Sequence, residues 1–348
     1  MRILLFSERL RAPYDEGIKN VAIHLSEALS VEHDVQVLTS DGHNDTRYNV
    51  QNIQVNRLLL NGKLGIAIRR FQPQAIIYVP TACGTVFSFF RAQVLRFYGR
   101  GVPTILVTLQ PRPHTAWGKW LIRRLEPDWV VAQSRRTIEE MTALGCRAAL
   151  LPPAVDTQRF RPATPTEKTL LRRRYGVLIG ATVVAHVGHL KGKRNLAHLL
   201  ALQEGGRYHT LVVTSTSTEQ DKALKEALCN AGGTVIDIYM DNIEDIYRLA
   251  DVYLFLAEED TAAIEMPLSV LEAMSCNLPV VTTPFGGLPD FFTEGDGLLY
   301  WRGEKAVADA IDAALSMPCN TRKLVESRTW AAAAQILVDL LQQDRKGE

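Results

Sequence analysis

Between Thr46 and Leu125 the sequence contains no aspartate or glutamate at all, while the same stretch carries 12 Lys+Arg. A net charge of +1 hides this: residues 1–165 hold 21 Lys+Arg against 13 Asp+Glu, leaving 18 against 25 for the remainder, so the two parts carry +8 and −7. A basic N-terminal part reads either as a solvated face or as a surface for an anionic partner, a phosphorylated acceptor or an acidic membrane. Cysteine is scarce, five in 348 residues, scattered and without C-x-x-C spacing, which argues against a disulfide framework and a zinc site. No run of ~18 apolar residues is present, which excludes a hydropathy-evident membrane-spanning helix. Met1 is followed at once by the strand-like RILLF, so no secretory signal is read and a cytoplasmic protein is expected. After that strand comes Ser7 to Pro13 and a lone Gly17 in place of G-x-G-x-x-G, which argues against NAD binding. No Ser/His/Asp triad or hydrolase-type carboxylate pair can be assigned, no metal is expected, and no nucleic-acid partner is indicated.

With 47% hydrophobic residues, the chain is long enough for two cores. Strand-like runs at Arg2–Phe6, Asp34–Leu38, Ala75–Val79, Thr104–Thr108, Trp129–Ala132 and Ala148–Leu151 alternate with helical patterns, the signature of a parallel sheet covered by helices. A proline- and turn-rich segment, Pro152 to Pro165, interrupts the pattern. A second alternation follows, with strands at Thr182–Val187, Thr210–Thr214, Val235–Ile238, Val252–Leu256 and Pro279–Thr283. The spacing of Trp330, Ile336, Leu337, Leu340 and Leu341 predicts a final amphipathic helix over 327–343.

The richest stretch is EMPLSVLEAMSCNLPVVTTPFGGLPD, Glu265 to Asp290. Pro267 suits a first helical position, Leu268, Val270, Leu271 and Met274 continue a helix of about three turns, and Asn277 with Pro279 stops it. Leu278–Thr283 reads as a strand buried on both faces. Gly286 and Gly287 open a tight turn whose N–H groups can approach a ligand, and Pro289 begins another helix. Upstream, Gly188-His189-Leu190-Lys191-Gly192-Lys193-Arg194 follows a strand, and its cations can surround a diphosphate. Gln110, Arg112 and His114 follow another strand. The basic, aromatic segment Trp117, Lys119, Trp120, Arg123, Arg124 either lies on anionic lipid or packs its tryptophans inward.

The 265–290 segment resembles the donor-binding signature of retaining glycosyltransferases with the GT-B fold, the family numbered 4, E-G-F-G-L-P-x-L-E-A-M-A-x-G-x-P-V-V-x-T-x-x-G-G-x-P-E. Ala154 to Phe160 is similar to its interdomain G-V-D-x-x-x-F, and residues 187–196 to its G-R-L-x-x-x-K-G, with His189 where arginine is usual and Arg194 where lysine is usual. The resemblance implies an α/β chain of two Rossmann-like, doubly wound domains facing across a cleft: an acceptor-side domain over 1–160, a nucleotide-sugar domain over 161–326, and a helix over 327–348 crossing back to the first. It implies donor binding by Gly17, His189, Met240, Glu272, Gly286 and Gly287, with Glu272 on the ribose and the glycines on phosphate. Catalytic roles fall to Lys193, Arg194 and Glu265, and acceptor-side roles to Gln110, Arg112 and His114. The family separates its two glutamates by seven residues, and here six lie between Glu265 and Glu272. Either the loop is one residue shorter and Glu265 serves, or Ile264 stands at the first position. The implied activity is transfer of a sugar, with retention, from a nucleotide-sugar co-substrate to an anionic, lipid-linked or glycan acceptor, without cofactor or metal, at the inner face of the membrane or free in the cytoplasm. The rivals are a sugar-nucleotide epimerase of the same fold and a non-catalytic scaffold descended from a transferase.

Overall fold

The computed structural model describes residues 1–190, 194–217 and 220–343, and the chain divides into two compact units. The first holds Met1–Pro152, Ile264–Met266 and the chain from Trp330; the second holds Pro153–Ala263 and Pro267–Thr329. In the first, the order is β1 (Arg2–Phe6), β2 (Arg9–Leu10), α1 (Gly17–Ser30), β3 (Asp34–Thr39), β4 (Asp41–Gly42), β5 (Val50–Asn52), α2 (Gly62–Phe71), β6 (Ala75–Tyr78), α3 (Val86–Tyr98), β7 (Thr104–Val107), α4 (Ala116–Arg124), β8 (Trp129–Ala132), α5 (Arg135–Ala143) and β9 (Ala148–Leu150). Seven strands form a parallel sheet in the order β5-β3-β1-β6-β7-β8-β9, with Ile3 between Val35 and Ala75. Ala75–Tyr78 and Thr104–Val107 are buried at every position because helices cover both faces, which is why they read as unbroken apolar runs. Thr85, Thr115 and Ser134 cap the helices that follow β6, β7 and β8, each accepting from a backbone N–H three residues on.

The second unit repeats the architecture: α6 (Pro165–Arg174), β10 (Thr182–Gly188), α7 (Ala197–Glu204), β11 (Tyr208–Thr214), α8 (Lys222–Asn230), β12 (Thr234–Ile236), α9 (Glu244–Leu249), β13 (Val252–Phe255), α10 (Leu268–Ser275), β14 (Val280–Thr282), α11 (Leu288–Phe291), β15 (Leu298–Tyr300), α12 (Val307–Ser316) and α13 (Thr321–Val325). Its parallel sheet runs β12-β11-β10-β13-β14-β15. The last helix, α14 (Trp330–Gln343), belongs to the first unit, where it packs on α1 and Trp330 stacks on His24 with ring centroids 5.1 Å apart.

Three sequence expectations shift. The break between units falls at Pro152–Pro153, earlier than residue 160, because Arg322 draws the intervening segment into the second unit: its guanidinium donates to Thr157 O at 3.1 Å and Phe160 O at 3.0 Å. Helix α10 has eight residues, about two turns, since Pro267 is its N-cap and Asn277 takes φ +58. β12 is an edge strand that stops at Ile236, leaving Ile238 67% exposed.

Residues Ile264–Met266 enter the first unit through the side chain of Glu265. Its backbone N–H donates to Leu109 O at 2.7 Å, and its carboxylate, 1% exposed, accepts from Gln133 N at 3.0 Å, Ser134 Oγ at 2.6 Å and Thr137 Oγ1. These donors form the N-terminal end of α5, where both the macrodipole and the open N–H groups favour an anion. Beside it Ile264 packs on Gly17, so a Cβ at Gly17 would lie 3.1 Å from Ile264 Cδ1. Burial outweighs the hydrogen bonds and raises the Glu265 carboxyl above its ordinary value of 4.5. The native state therefore binds this proton at a pH where the unfolded chain has released it, and stability falls as pH rises from 4.5 through the raised value. Urea denaturation across that range should show this fall in the wild type and its loss in Glu265→Gln; an unchanged slope would assign the titration elsewhere. Glu265→Ala, which leaves three donors short of an acceptor, should cost about 3 kcal/mol.

Candidate functional site in the second unit

In a doubly wound sheet the connections diverge at the strands where the order reverses, opening a crevice at their carboxyl ends. In the second unit those strands are β10 and β13, which pair side by side. β10 ends at Gly188, and His189 and Arg194 follow it. The Arg194 guanidinium lies against the Gly188 backbone so closely that a Cβ there would fall 2.1 Å from Nη1, and Gly188 also takes φ +150. Only glycine fits both requirements. Arg194 is 7% exposed, donates Nη2 to Ala262 O at 3.0 Å and lies over the Phe255 ring, 5.4 Å from its centroid. Its Nε has no partner, and among the described residues no carboxylate pairs with it. Burial accordingly lowers its pKa to about 10. A desolvated cation without a counter-anion costs free energy unless an anion arrives to meet it. Lys191, Gly192 and Lys193 lie outside the described residues.

Beneath Arg194 runs an aromatic row that the sequence reading missed. His186 of β10 stands between Tyr253 and Phe255 of β13, with each ring centroid 6.4 Å away, and its Nδ1 pairs with Leu254 O at 2.9 Å. Burial, with Arg194 adding, holds its pKa down at about 3, so this histidine is neutral at pH 7. Tyr253 is followed in the row by Tyr247, 5.6 Å off, and Phe255 by Phe285, 5.6 Å off and edge-on. The only signal in the sequence was the alternation of aromatics in Val252–Phe255 and a histidine inside an apolar strand.

The row brings the two ends of the predicted donor site together. At one end the buried Tyr247 hydroxyl donates to Glu272 Oε2 at 2.6 Å; burial, with the Glu272 charge, holds that phenol well above its ordinary value, so it remains a donor. Glu272 is half-buried on α10. Arg159 binds Glu244 at 2.9 Å and Asp241 O at 2.5 Å, which fixes the loop holding the half-buried Met240. Burial pulls the Arg159 guanidinium down, and the Glu244 bond and the Glu244 and Glu272 charges more than restore it. At the other end Phe285 introduces Gly286, at φ +55, and Gly287, the N-cap of α11. Arg194 and the Gly286–Gly287 turn thus share one aromatic support, Phe255.

The remaining predicted residues belong to the first unit. Gly17 opens α1, whose N-cap Glu16 makes no side-chain cap. After β7, Arg112 Nη2 donates to Gln110 Oε1 at 3.2 Å. His114 is half-buried ahead of α4, and burial lowers its pKa. Glu265 differs from expectation: both carboxylate oxygens are spent at the start of α5, and it faces no open surface. The carboxyl finds three donors there, and Ile264 occupies the place beside Gly17.

Residues 181–317 match the sequence family described as Glycosyl transferases group 1. Among curated proteins, a D-inositol 3-phosphate glycosyltransferase of Geodermatophilus obscurus is 27% identical over 240 residues, covering 61% of this chain and 52% of that protein. The lipopolysaccharide core biosynthesis mannosyltransferase LpsB of Rhizobium meliloti is 29% identical over 224 residues, 60% of this chain and 61% of that protein. The chain thus spans between about half and three fifths of these relatives. HepE of Anabaena, solved in complex with UDP, superposes with a TM-score of 0.79 at 15% identity over 99% of this chain and 100% of that one. WaaG, a glycosyltransferase involved in lipopolysaccharide biosynthesis, superposes with a TM-score of 0.70 at 13% identity over 97% and 99% of the two chains. These likenesses carry the fold, and the family match carries the domain. Residues 181–317 are a group 1 glycosyltransferase domain, set in a chain with the GT-B fold.

Proposed function

We propose that this protein transfers a sugar from a nucleotide-sugar to an acceptor with retention of the anomeric configuration and without a metal ion. The observation that carries the reading is Arg194, buried at the carboxyl ends of β10 and β13 with no counter-anion among the described residues. A donor diphosphate supplies that anion. Glu272, acceptor-only when ionised and steadied by the Tyr247 hydroxyl, suits the two ribose hydroxyls. The Gly286–Gly287 turn offers N–H groups to phosphate, with His189 beside the diphosphate and the Met240 loop against the base. As the bond from the anomeric carbon to the phosphate oxygen breaks, the acceptor oxygen bonds to that carbon and the departing phosphate takes the acceptor's proton. The protein's part is to position the reactants and to hold the charge that grows on the leaving diphosphate, which falls to Arg194 and Lys193. Glu265 is not in this scheme. On the acceptor side the reading assigns Gln110, Arg112 and His114.

Replacing Arg194 by methionine separates this role from a structural one. Removing an uncompensated buried cation should leave folding stability unchanged or higher, whereas turnover should fall by on the order of 10²-fold or more. Loss of stability with normal turnover would make Arg194 a packing residue. Glu272→Ala should weaken nucleotide binding by calorimetry, and undiminished affinity would remove it from the ribose. A panel of nucleotide-sugars tests the reaction class. Free nucleotide appearing with a product of unchanged anomeric configuration supports retaining transfer, interconversion of the donor marks an epimerase, and binding without turnover marks a scaffold.

A further inference from the structure

Helix α4 turns both of its tryptophans outward. Its buried side consists of Gly118 and Ile122, four residues apart, and Gly118 fits so closely on α3 that a Cβ there would lie 3.3 Å from Val86 Cγ2. That packing leaves Trp117 66% exposed and Trp120 45% exposed on the far side, stacked on one another with ring centroids 4.8 Å apart and planes at 18°. Arg124, one turn beyond Trp120, lies over its ring at 5.2 Å. Lys119 and Arg123 are exposed as well, and Lys119, Arg123 and Arg124 form no ion pair among the described residues. Phe87, next to the Val86 on which Gly118 packs, is 60% exposed. Of the five aromatic side chains that stand well exposed among the described residues, Phe87, Phe97, Trp117 and Trp120 all fall in the acid-free stretch and only Tyr239 does not.

We propose that the α4 face is a docking surface for an anionic lipid bilayer. A solvated face explains the cations and leaves the tryptophans unexplained, since two stacked indoles in water forfeit burial of the largest apolar side chains. A purely apolar partner leaves the cations unexplained. The bilayer interface accounts for both: indoles settle at the headgroup level while lysine and arginine reach the lipid phosphates. The absence of any carboxylate from Thr46 to Leu125 removes repulsion from that lipid over the whole of α2, α3 and α4. Each cation near such a surface strengthens association about fivefold, and three together by on the order of a hundredfold, with an effect confined to a Debye length. The proposal stands independently of the transfer reaction.

Co-sedimentation of the full chain with vesicles of phosphatidylcholine alone and of phosphatidylcholine with phosphatidylglycerol tests it. Expected are retention on the anionic vesicles at low salt, release at high salt, a blue shift of tryptophan emission on binding, and no retention on the neutral vesicles. Trp117→Ala with Trp120→Ala should lower anionic-vesicle binding at least tenfold, and Lys119→Ser, Arg123→Ser and Arg124→Ser together should abolish it. Circular dichroism of both variants should match the wild type, because the exchanged side chains are exposed. Should the paired tryptophan variant fail to fold, the cation variant and the salt dependence of the wild type decide. Absence of retention at low salt, equal binding by neutral vesicles, or unaltered binding by both variants overturns the proposal. A self-association in sedimentation that the tryptophan variant loses, without vesicle binding, overturns it in favour of a second copy of this chain.

Discussion

The second unit is organised around a buried positive charge that no carboxylate neutralises among the described residues. Arg194 is held by one carbonyl, one aromatic face and the bare Cα of Gly188. Each support is a separate sequence commitment. Gly188 must be glycine both for its backbone angle and for the room it leaves. Phe255 must present a ring at the end of a central strand. The neighbouring His186 must stay neutral, which its burial and the Arg194 charge both enforce. A guanidinium suits this setting better than an ammonium, because it is weakly hydrated, stacks on rings and cannot escape by losing its proton at physiological pH. The arrangement carries an unfavourable desolvation free energy, which the diphosphate of the proposed transfer would relieve. In the proposed transfer, donor binding and the later stabilisation of the departing phosphate would rest on the same atoms.

Glu265 shows the opposite solution. Here a carboxylate is buried with both oxygens served by donors, namely the hydroxyls of Ser134 and Thr137 and the Gln133 N–H at the start of α5. A one-residue offset between Ile264 and Glu265 decides which of them faces Gly17. Spacing alone left that choice open, because both alignments satisfied the motif within one residue. The structure places each by its chemistry: the Glu265 carboxylate meets two hydroxyls and an N–H at a helix N-terminus, whereas Ile264 fills space against Gly17.

What was legible in the sequence follows from the same distinction between local and cross-strand physics. The two parallel sheets were legible because strands such as Ala75–Tyr78 and Val252–Phe255, covered on both faces, must be apolar throughout. Gly286 was legible because its backbone angle belongs to glycine. The row from Tyr247 through Tyr253, His186 and Phe255 to Phe285 was not, since these residues meet only through the pairing of β10 with β13 and the packing of loops on it. Nor could the sequence alone choose the outward face of α4. Two tryptophans three apart suit either face of a nine-residue helix, and the choice is made by Gly118, whose missing side chain lets α3 approach on that side and forces the indoles to the other.

The distribution of charge then acquires a physical division of labour. Cations that α3 needs for its own structure are paired: Arg91 with Glu8 at 2.8 Å and Arg96 with Asp128 at 2.9 Å, both partners lying outside the acid-free stretch. Those of α4 have no such partners among the described residues. A carboxylate within α4 or α3 would be the cheapest way to neutralise Lys119, Arg123 and Arg124, by the i,i+4 pairing that costs a surface helix nothing. Its absence over 80 consecutive residues leaves those three charges to the solvent or to an external anion. Among the described residues Arg194 is likewise unpaired but desolvated, a setting that suits the small, enclosed diphosphate of the proposed transfer, whereas the exposed α4 cations, each worth little alone, would act only in number and at an extended surface. The burial of each cation, more than its identity, fixes which kind of anion it is built to meet.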